Sequence, residues 1–449
     1  MSREITLLVL VLSAALVACG ESSAPAVAPS PAVTPGAVRT YIPLGTPGFR
    51  EPSHLVPPDE DVQFVPGKLA WEGFAIEDPT TLAFGPDGRL YVGQLNGQII
   101  ALTLAGQTVT AVELIAQADA LGDVLGIAFN PADASVSTTL YVSHTRLYLG
   151  DEGPPFAGTI SKLVAPGFEP LDVITGLPVS TAEHGTNGIA FDREGRLYIA
   201  QGGTTNAGIP SERFSRPETP LSGAILIADL TDPPFDGSIR YDPPAEPSDT
   251  IEQVAGSARV YANGFRNPYD LVVHSNGRIY VTDNGPNSTD GARSLNCTSE
   301  GPGPSAPDEL NLIIEGQYYG HPNRNRGRPD ERQCTYRASD DRSAESTPPL
   351  ATLGFFVSAD GITEYNSDAF GGLLRGNLIY VEWVKGRVWR VVLSDDGTSV
   401  VSISQLVPDV LERPLDVAVG PDGALYIAEM GADRISYFVP FLVEPGNAG

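Results

Sequence analysis

Leu82-Ala-Phe-Gly-Pro-Asp-Gly-Arg-Leu-Tyr-Val92 reads as a short apolar strand, a tight turn and a second apolar strand. The same pattern returns in Ile189-Ala-Phe-Asp-Arg-Glu-Gly-Arg-Leu-Tyr-Ile199, Leu271-Val-Val-His-Ser-Asn-Gly-Arg-Ile-Tyr-Val281 and Val417-Ala-Val-Gly-Pro-Asp-Gly-Ala-Leu-Tyr-Ile427. Asp-Gly, Glu-Gly and Asn-Gly supply the positive φ angles that tight hairpins need. Looser copies run from Leu125 to Val142, with a longer turn, and from Gly361 to Trp389, with strands around Leu378–Val381 and Arg387–Val392. A lone hairpin cannot bury its faces, so six such units must stack on one another. The expected fold is all-β, a six-bladed β-propeller whose uneven insertions emerge as loops. Its closing strand is expected near Phe438–Val443, beside an N-terminal strand near Phe64–Phe74. An array of β-sandwiches is the architectural alternative, but the hairpins recur without the linkers that separate domains need.

Composition agrees with this reading. The chain has 449 residues, 48 Gly and 40 Pro, and 41% hydrophobic residues. That is enough apolar material for a large core and enough punctuation for many turns. Asp and Glu number 55 against 28 Lys and Arg, a formal net charge of −27. A chain this acidic is excluded as a nucleic-acid binder, because phosphate contacts need cations. It is equally unsuited to an anionic membrane surface.

The N-terminal part differs in kind. Arg3 precedes an apolar run from Ile5 to Ala18 that is too short for a membrane-spanning helix and fits a secretory signal. Leu16-Val17-Ala18-Cys19 followed by Gly20 resembles a bacterial lipoprotein signal, with Cys19 as the lipidated residue. An ordinary cleaved signal, with Cys19 incidental, is the alternative. Pro25, Pro29, Pro31, Pro35, Pro43, Pro47, Pro52, Pro57 and Pro58 mark a semi-rigid tether. The expected organisation is a signal over 1–18, a Pro/Ala/Ser-rich tether over 19–58 and the propeller over 59–449. Export and a lipid anchor would place it at the outer face of the membrane, in the periplasm or outside the cell. Two cysteines remain, Cys297 and Cys334, and an oxidising compartment favours a disulfide between them. It would close a loop of about 38 residues, worth roughly 3–4 kcal/mol on a chain-entropy estimate.

No zinc-protease His-Glu-x-x-His, nucleophile elbow, phosphate-binding loop or Cys-x-x-Cys occurs. Chemistry must then come from loops where the inner strands converge. Three segments depart from the repeat. In Glu183-His184-Gly-Thr-Asn-Gly188 a histidine stands at a strand entrance, and a pKa near 6.5 suits a general base. His144 reads as structural, and His54, His274 and His321 as tether, turn and loop residues. Gly264-Phe-Arg266-Asn267-Pro268-Tyr269-Asp270 brings a cation to another strand entrance. Asp283-Asn-Gly285-Pro286-Asn287 leads on to Asp308-Glu309-Leu-Asn311-Leu312 and Gly316-Gln-Tyr-Tyr319-Gly-His-Pro322. Exposed carbonyls beside carboxylates suit Ca²⁺; a surface-loop histidine and turn-capping acids are the plainer reading.

Taken in order, these segments resemble the glucose/sorbosone dehydrogenase family. The matching pieces are Gly264-Phe-Arg-Asn-Pro268, Gly277-Arg-Ile-Tyr-Val-Thr-Asp-Asn-Gly-Pro286, Asp308-Glu-Leu-Asn-Leu312 and Tyr319-Gly-His-Pro322, with the His184 and Arg413 segments on either side. The resemblance spans roughly residues 65–440. It implies a six-bladed propeller holding pyrroloquinoline quinone (PQQ) and Ca²⁺, a small sugar or polyol as substrate and a separate electron acceptor. It implies that His184 takes a proton from a sugar hydroxyl as hydride leaves the carbon for the quinone. It casts Arg266 as the cation facing the quinone and Asn267 as a cofactor contact. Gly285 and Pro286 would offer carbonyls to the catalytic Ca²⁺, and Glu309 and Tyr319 would belong to a structural calcium site.

The chain also departs from the family pattern. Gly203 stands where an Asp would orient the base, leaving that role absent or filled by another group such as Glu183. Leu121 and Tyr269 replace expected Gln residues. An Arg-x-Arg pair for the quinone carboxylates is reduced to Arg413 by Leu415, and the expected Lys aligns loosely with Lys385 or is served by Arg387. Two other functions follow if these losses decide: a carbohydrate- or protein-binding propeller without PQQ, or a Ca²⁺-dependent lactonase-type propeller using Asn187 and Asp283. Oligomeric state is not encoded in these patterns.

Overall fold

In the computed structural model the protein is described over residues 62–133, 138–208, 210–242, 251–287, 306–321, 346–407 and 410–441. Cys19, Cys297, Cys334, the signal and the tether lie outside the described residues. Six four-stranded antiparallel sheets account for nearly all of the regular structure. From the axis outward, blade 1 is Pro79–Phe84, Leu90–Gln94, Ile99–Ala105 and Thr108–Ala116. Blade 2 is Asp123–Phe129, Thr139–Thr145, Gly158–Val164 and Leu171–Leu177. Blade 3 is Thr186–Phe191, Arg196–Gln201, Ala224–Asp229 and Arg259–Asn263. Blade 4 is Pro268–Val273, Ile279–Asp283, Asp308–Ile313 and Ala351–Gly354, and blade 5 is Ala359–Tyr365, Asn377–Glu382, Arg387–Leu393 and Val400–Val407. Blade 6 joins Pro414–Val419, Leu425–Glu429 and Arg434–Phe441 to Gln63–Lys68 from the start of the domain. Val65 pairs with Val439 in that closure. The ring is therefore closed where expected, with a last strand that begins earlier than Phe438.

The repeated hairpin has a physical basis in each of its residues. Gly88, Gly195, Gly277 and Gly423 lie at φ between 78° and 83°, while Asp87, Glu194, Asn276 and Asp422 before them keep negative φ. Each glycine N–H donates to the carbonyl three residues earlier, as Gly88 does to Gly85 at 2.9 Å. The turn is thus a type I turn closed by a left-handed glycine, not the mirror-image turn in which both central residues are positive. The tyrosine three residues on is buried in every copy and its hydroxyl meets the turn's polar side chains, as Tyr91 donates to Asp87 at 2.8 Å. Its ring also seals a blade seam. Tyr91 meets Phe129 of blade 2 edge-on at 5.1 Å, Tyr141 meets Phe191 of blade 3 at 4.8 Å, and Tyr426 meets Phe84 of blade 1 at 5.3 Å.

Every inner strand carries one extra residue near its start. The register slips between Pro79 and Thr81, Val124 and Gly126, Thr186 and Ile189, Pro268 and Asp270, Ala359 and Ile362, and Pro414 and Asp416. Carboxylates near these bulges join neighbouring blades: Asp270 accepts Ile362 N–H at 2.9 Å and Asp416 accepts Leu82 N–H at 2.7 Å. Both line an axial cavity of about 320 Å³ between the inner strands. Burial, and for Asp270 the nearby Asp416 charge, raises both carboxyls, Asp416 to about 7.

Gly88→Ala and Gly277→Ala test the turn assignment, since a Cβ at either site meets nothing within 4 Å and only the backbone is strained. Each is expected to lower unfolding free energy by about 1–2 kcal/mol. Denaturant titration that shows no loss for either variant contradicts the left-handed role.

Candidate active site

All six inner strands start, and all six second strands end, on one face of the ring. The paired positions are Pro79 with Gln94, Asp123 with Thr145, Thr186 with Gln201, Pro268 with Asp283, Ala359 with Glu382, and Pro414 with Glu429. The six strand-ending residues are polar and buried. Polar groups therefore gather at this face, and blades 3 and 4 bring the sequence-predicted residues together there.

His184 immediately precedes the inner strand of blade 3 and is 1% exposed. Its backbone N–H donates to Ser180 Oγ at 3.1 Å, and its ring lies against Phe214 with centroids 4.6 Å apart. Nδ1 is 2.9 Å from the Gly203 carbonyl. A carbonyl only accepts, so Nδ1 carries the hydrogen and Nε2 holds the lone pair. Nε2 is buried and has no hydrogen-bond partner among the described residues. Burial, reinforced by the Arg266 charge, pushes this imidazole well below the ordinary histidine value. It is a neutral acceptor kept ready at physiological pH.

Arg266 is 3% exposed and stands over the same Phe214 ring, 5.8 Å from its centroid. Nη2 donates to Asn206 Oδ1 at 2.8 Å and Nη1 to the Asn284 carbonyl at 3.2 Å. Its own carbonyl accepts the Gly203 N–H at 2.7 Å. Asn267 donates from Nδ2 to Asn284 Oδ1 at 3.2 Å and accepts Asn187 Nδ2 at 2.9 Å. Asp283 accepts the backbone N–H groups of both Arg266 and Asn267. A Cβ on Gly202 would fall 2.9 Å from both Asn267 Oδ1 and His184 Cβ, so glycine alone permits this approach.

Gly285 follows the second strand of blade 4. Its N–H donates to Asp308 Oδ1 at 2.9 Å, and a Cβ there would sit 2.3 Å from the Ala306 carbonyl. The Pro286 carbonyl accepts Ala306 N–H at 3.1 Å. The other Asp308 oxygen accepts Ala359 N–H, tying the segment to blade 5. Among the described residues, no three His, Cys, Asp or Glu side chains cluster as metal ligands. Glu309 is buried beside Asn311 Nδ2 at 3.5 Å. The Tyr319 hydroxyl donates to Leu312 O and accepts Ile314 N–H, and its ring stacks on Phe265. That hydroxyl has a packing role, which leaves a structural metal only the Tyr319 backbone.

The remaining cations lie at the heads of blades 5 and 6. Lys385 is exposed in the turn after Glu382, and Arg387 Nη1 is 3.9 Å from Glu382. Arg413 covers the Trp383 ring at 5.0 Å and takes a strained φ of 52°. Leu121 is buried in an apolar cluster with Ile99, Ile115 and Val124, and Leu415 is also buried.

Two sequence expectations are corrected. Glu183 does not take the orienting role on His184 Nδ1, which the Gly203 carbonyl holds; it pairs with Arg213 at 2.8 Å. His321 is not a plain loop residue, because its Nε2 meets the buried Glu218 Oε1 at 2.9 Å. Glu218, Asn206 and Phe214 escaped the sequence reading. All three lie in the insertion between Gln201 and Ala224, where no repeat period marks them.

A closed propeller with a buried neutral histidine and a guanidinium on one aromatic ring defines a class of protein, and similarity supplies its family. The glucose/sorbosone dehydrogenase family model matches residues 76–435. The chain belongs to that family. Quinoprotein glucose dehydrogenase B of Acinetobacter calcoaceticus is 25% identical over 305 residues, 63% of this chain and 58% of the relative's length. Aldose sugar dehydrogenase YliI of Escherichia coli K12 is 25% identical over 366 residues, covering 78% and 87% of the two chains. The PQQ-bound aldose sugar dehydrogenase structure from Streptomyces coelicolor superposes with a TM-score of 0.55 at 20% identity, over 86% of this chain and all of that one.

The histidine assignment has a sign that can be checked. Unfolded His184 takes a proton near pH 6.5, while folded His184 takes it only well below. Its contribution to stability is therefore lost as pH falls below about 6.5. NMR titration of the ring is expected to give a midpoint well under that value; a midpoint at or above it contradicts the buried neutral state.

Proposed function

We propose that this protein is a PQQ- and Ca²⁺-dependent sugar dehydrogenase that acts on an aldose or polyol. The observation that carries the reading is the buried Nε2 of His184, without a hydrogen-bond partner among the described residues, on the same Phe214 ring as the Arg266 guanidinium. The residues present fit the cofactor: a proton acceptor with no hydrogen-bond partner among the described residues, a buried cation, and a carbonyl at Gly285, where any side chain would clash. When bound, PQQ supplies a two-electron acceptor for hydride. His184 Nε2 accepts the proton of the substrate hydroxyl, and its Nδ1–H stays on the Gly203 carbonyl. Arg266 places positive charge beside that proton transfer, and Asn267 orients a ring substituent. Gly285 and Pro286 would hold Ca²⁺ through their carbonyls, and Glu309 with the Tyr319 backbone would hold a second ion. Arg413, with Lys385 and Arg387 nearby, would meet the cofactor's carboxylates.

The N-terminal segments complete the proposal. Residues 1–18 direct export, Cys19 carries a lipid, and residues 19–58 tether the propeller at the outer membrane face, where it passes electrons to a separate acceptor. Cys297 and Cys334 form a disulfide in that oxidising compartment. A second reading, a binding propeller that has lost PQQ, is favoured by the burial of the apolar Leu121 and Leu415 side chains at positions where polar groups are expected.

Purified apoprotein given PQQ and Ca²⁺ is expected to reduce an artificial dye with one or more of a panel of aldoses. His184→Ala is expected to lower kcat by about 10²–10⁴-fold. No cofactor uptake at micromolar PQQ favours the binding propeller, and undiminished turnover in His184→Ala overturns the base.

A further inference from the structure

Gly203 leaves the catalytic histidine without the side-chain acid expected beside it, and the structure shows what fills the place. A Cβ on Gly203 would lie 2.8 Å from the Arg266 carbonyl, 3.1 Å from Glu218 Oε1 and 3.2 Å from His321 Nε2. A side chain there would collide with the Arg266 backbone and crowd the Glu218 carboxylate and His321. Glu218 arrives from the far side of the 202–223 insertion and is buried together with His321.

We propose that Glu218, braced by His321, is the positioning residue for His184, acting through the Gly203–Thr204 peptide. The Glu218 carboxylate accepts Thr204 N–H at 3.0 Å, Thr205 N–H at 2.9 Å, Thr205 Oγ at 2.6 Å, Ser222 Oγ at 2.6 Å and His321 Nε2 at 2.9 Å. The Gly203 C=O and Thr204 N–H belong to one planar trans peptide and point in opposite directions. Anchoring the N–H on a fixed anion therefore aims the C=O the other way, onto His184 Nδ1 at 2.9 Å. The preceding peptide is fixed too, since Gly203 N–H donates to the Arg266 carbonyl. The Glu218 carboxylate thus fixes the peptide after Gly203, and the Arg266 carbonyl fixes the one before it.

The chain of contacts also has an electronic consequence. An anion pulling on an amide N–H polarises that amide and makes its carbonyl a stronger acceptor. The Gly203 carbonyl then holds Nδ1–H more firmly and keeps the lone pair on Nε2. Glu218 stays ionised for this purpose: burial alone would raise it, but the His321 contact and the hydroxyl donors outweigh burial and hold it at about 2. The arrangement works like a side-chain acid behind the histidine, with a peptide group as the middle link.

This inference rests on the reading of His184 as the base, and its test separates the two. Long-range ¹H–¹⁵N spectra of the full chain without PQQ report the His184 tautomer directly. The wild type is expected to carry its hydrogen on Nδ1 at neutral pH, and a wild-type hydrogen on Nε2 overturns the inference without any variant. In Glu218→Gln a hydrogen on Nε2 is expected to appear, and with PQQ, Ca²⁺ and sugar present kcat is expected to fall about ten- to a hundredfold. KM and PQQ affinity are expected to change far less. His321→Gln, which keeps an N–H donor to Glu218, is expected to retain the wild-type tautomer and most of kcat. A Glu218→Gln protein that folds and keeps the Nδ1 tautomer overturns the inference while leaving the dehydrogenase reading intact. A shifted tautomer in a protein inactive on every sugar leaves Glu218 as the positioning group and removes the dehydrogenase reading. Should Glu218→Gln fail to fold, Thr205→Val removes one donor to the carboxylate, and an unchanged tautomer ratio there counts against the inference.

Discussion

The extra residue at the head of each inner strand is the constraint on which the rest of this structure depends. A bulge breaks the pairing ladder, bends the strand and leaves backbone N–H groups that need other partners. Around the strand heads of blades 1, 4 and 5, carboxylates take up such N–H groups. Asp283 accepts Arg266 and Asn267, Asp308 accepts Gly285 and Ala359, Asp270 accepts Ile362, and Asp416 accepts Leu82. Several of these bonds cross from one blade to the next, so the groups that release the strand entrances for chemistry also hold the ring together.

That arrangement recasts the acidity of the chain. A net charge of −27 is an unpromising host for a quinone with three carboxylates. Yet the acids nearest the site do not present bare charge to it. Glu218, Asp283 and Asp308 are each turned onto N–H or hydroxyl donors, and Asp416 is raised to about 7 by burial. Arg266 and Arg413 stand over the aromatic faces of Phe214 and Trp383.

The propeller was legible because four hairpins carry the same glycine turn and the same tyrosine, and each of those residues has one physical task. Blades 2 and 5 were fainter because their turns are longer, and the register of the outer strands was hidden because half-exposed edges such as Thr108–Ala116 show no distinctive repeat. His184, Arg266, Asn267, Gly285 and Pro286 could be picked out because they flank strand entrances and exits whose spacing resembles a known family. Glu183 was the natural stand-in for a missing acid by adjacency in sequence, but it pairs with Arg213. Glu218 could not be foreseen: it comes from an aperiodic loop and reaches the histidine through a peptide group, a relation that spacing does not encode. His321 looked like a loop histidine because its partner lies more than a hundred residues away.

On the function proposed above, the strand entrances of blades 3 and 4 form a redox site built on His184 and Arg266. A crystal structure of the protein prepared with PQQ, Ca²⁺ and a reducing sugar tests it most directly. The account predicts the quinone in contact with Arg266 and Asn267, Ca²⁺ on the Gly285 and Pro286 carbonyls, and a sugar hydroxyl within hydrogen-bond reach of His184 Nε2. A quinone bound elsewhere, or a sugar seated on this face with the quinone excluded, would contradict it.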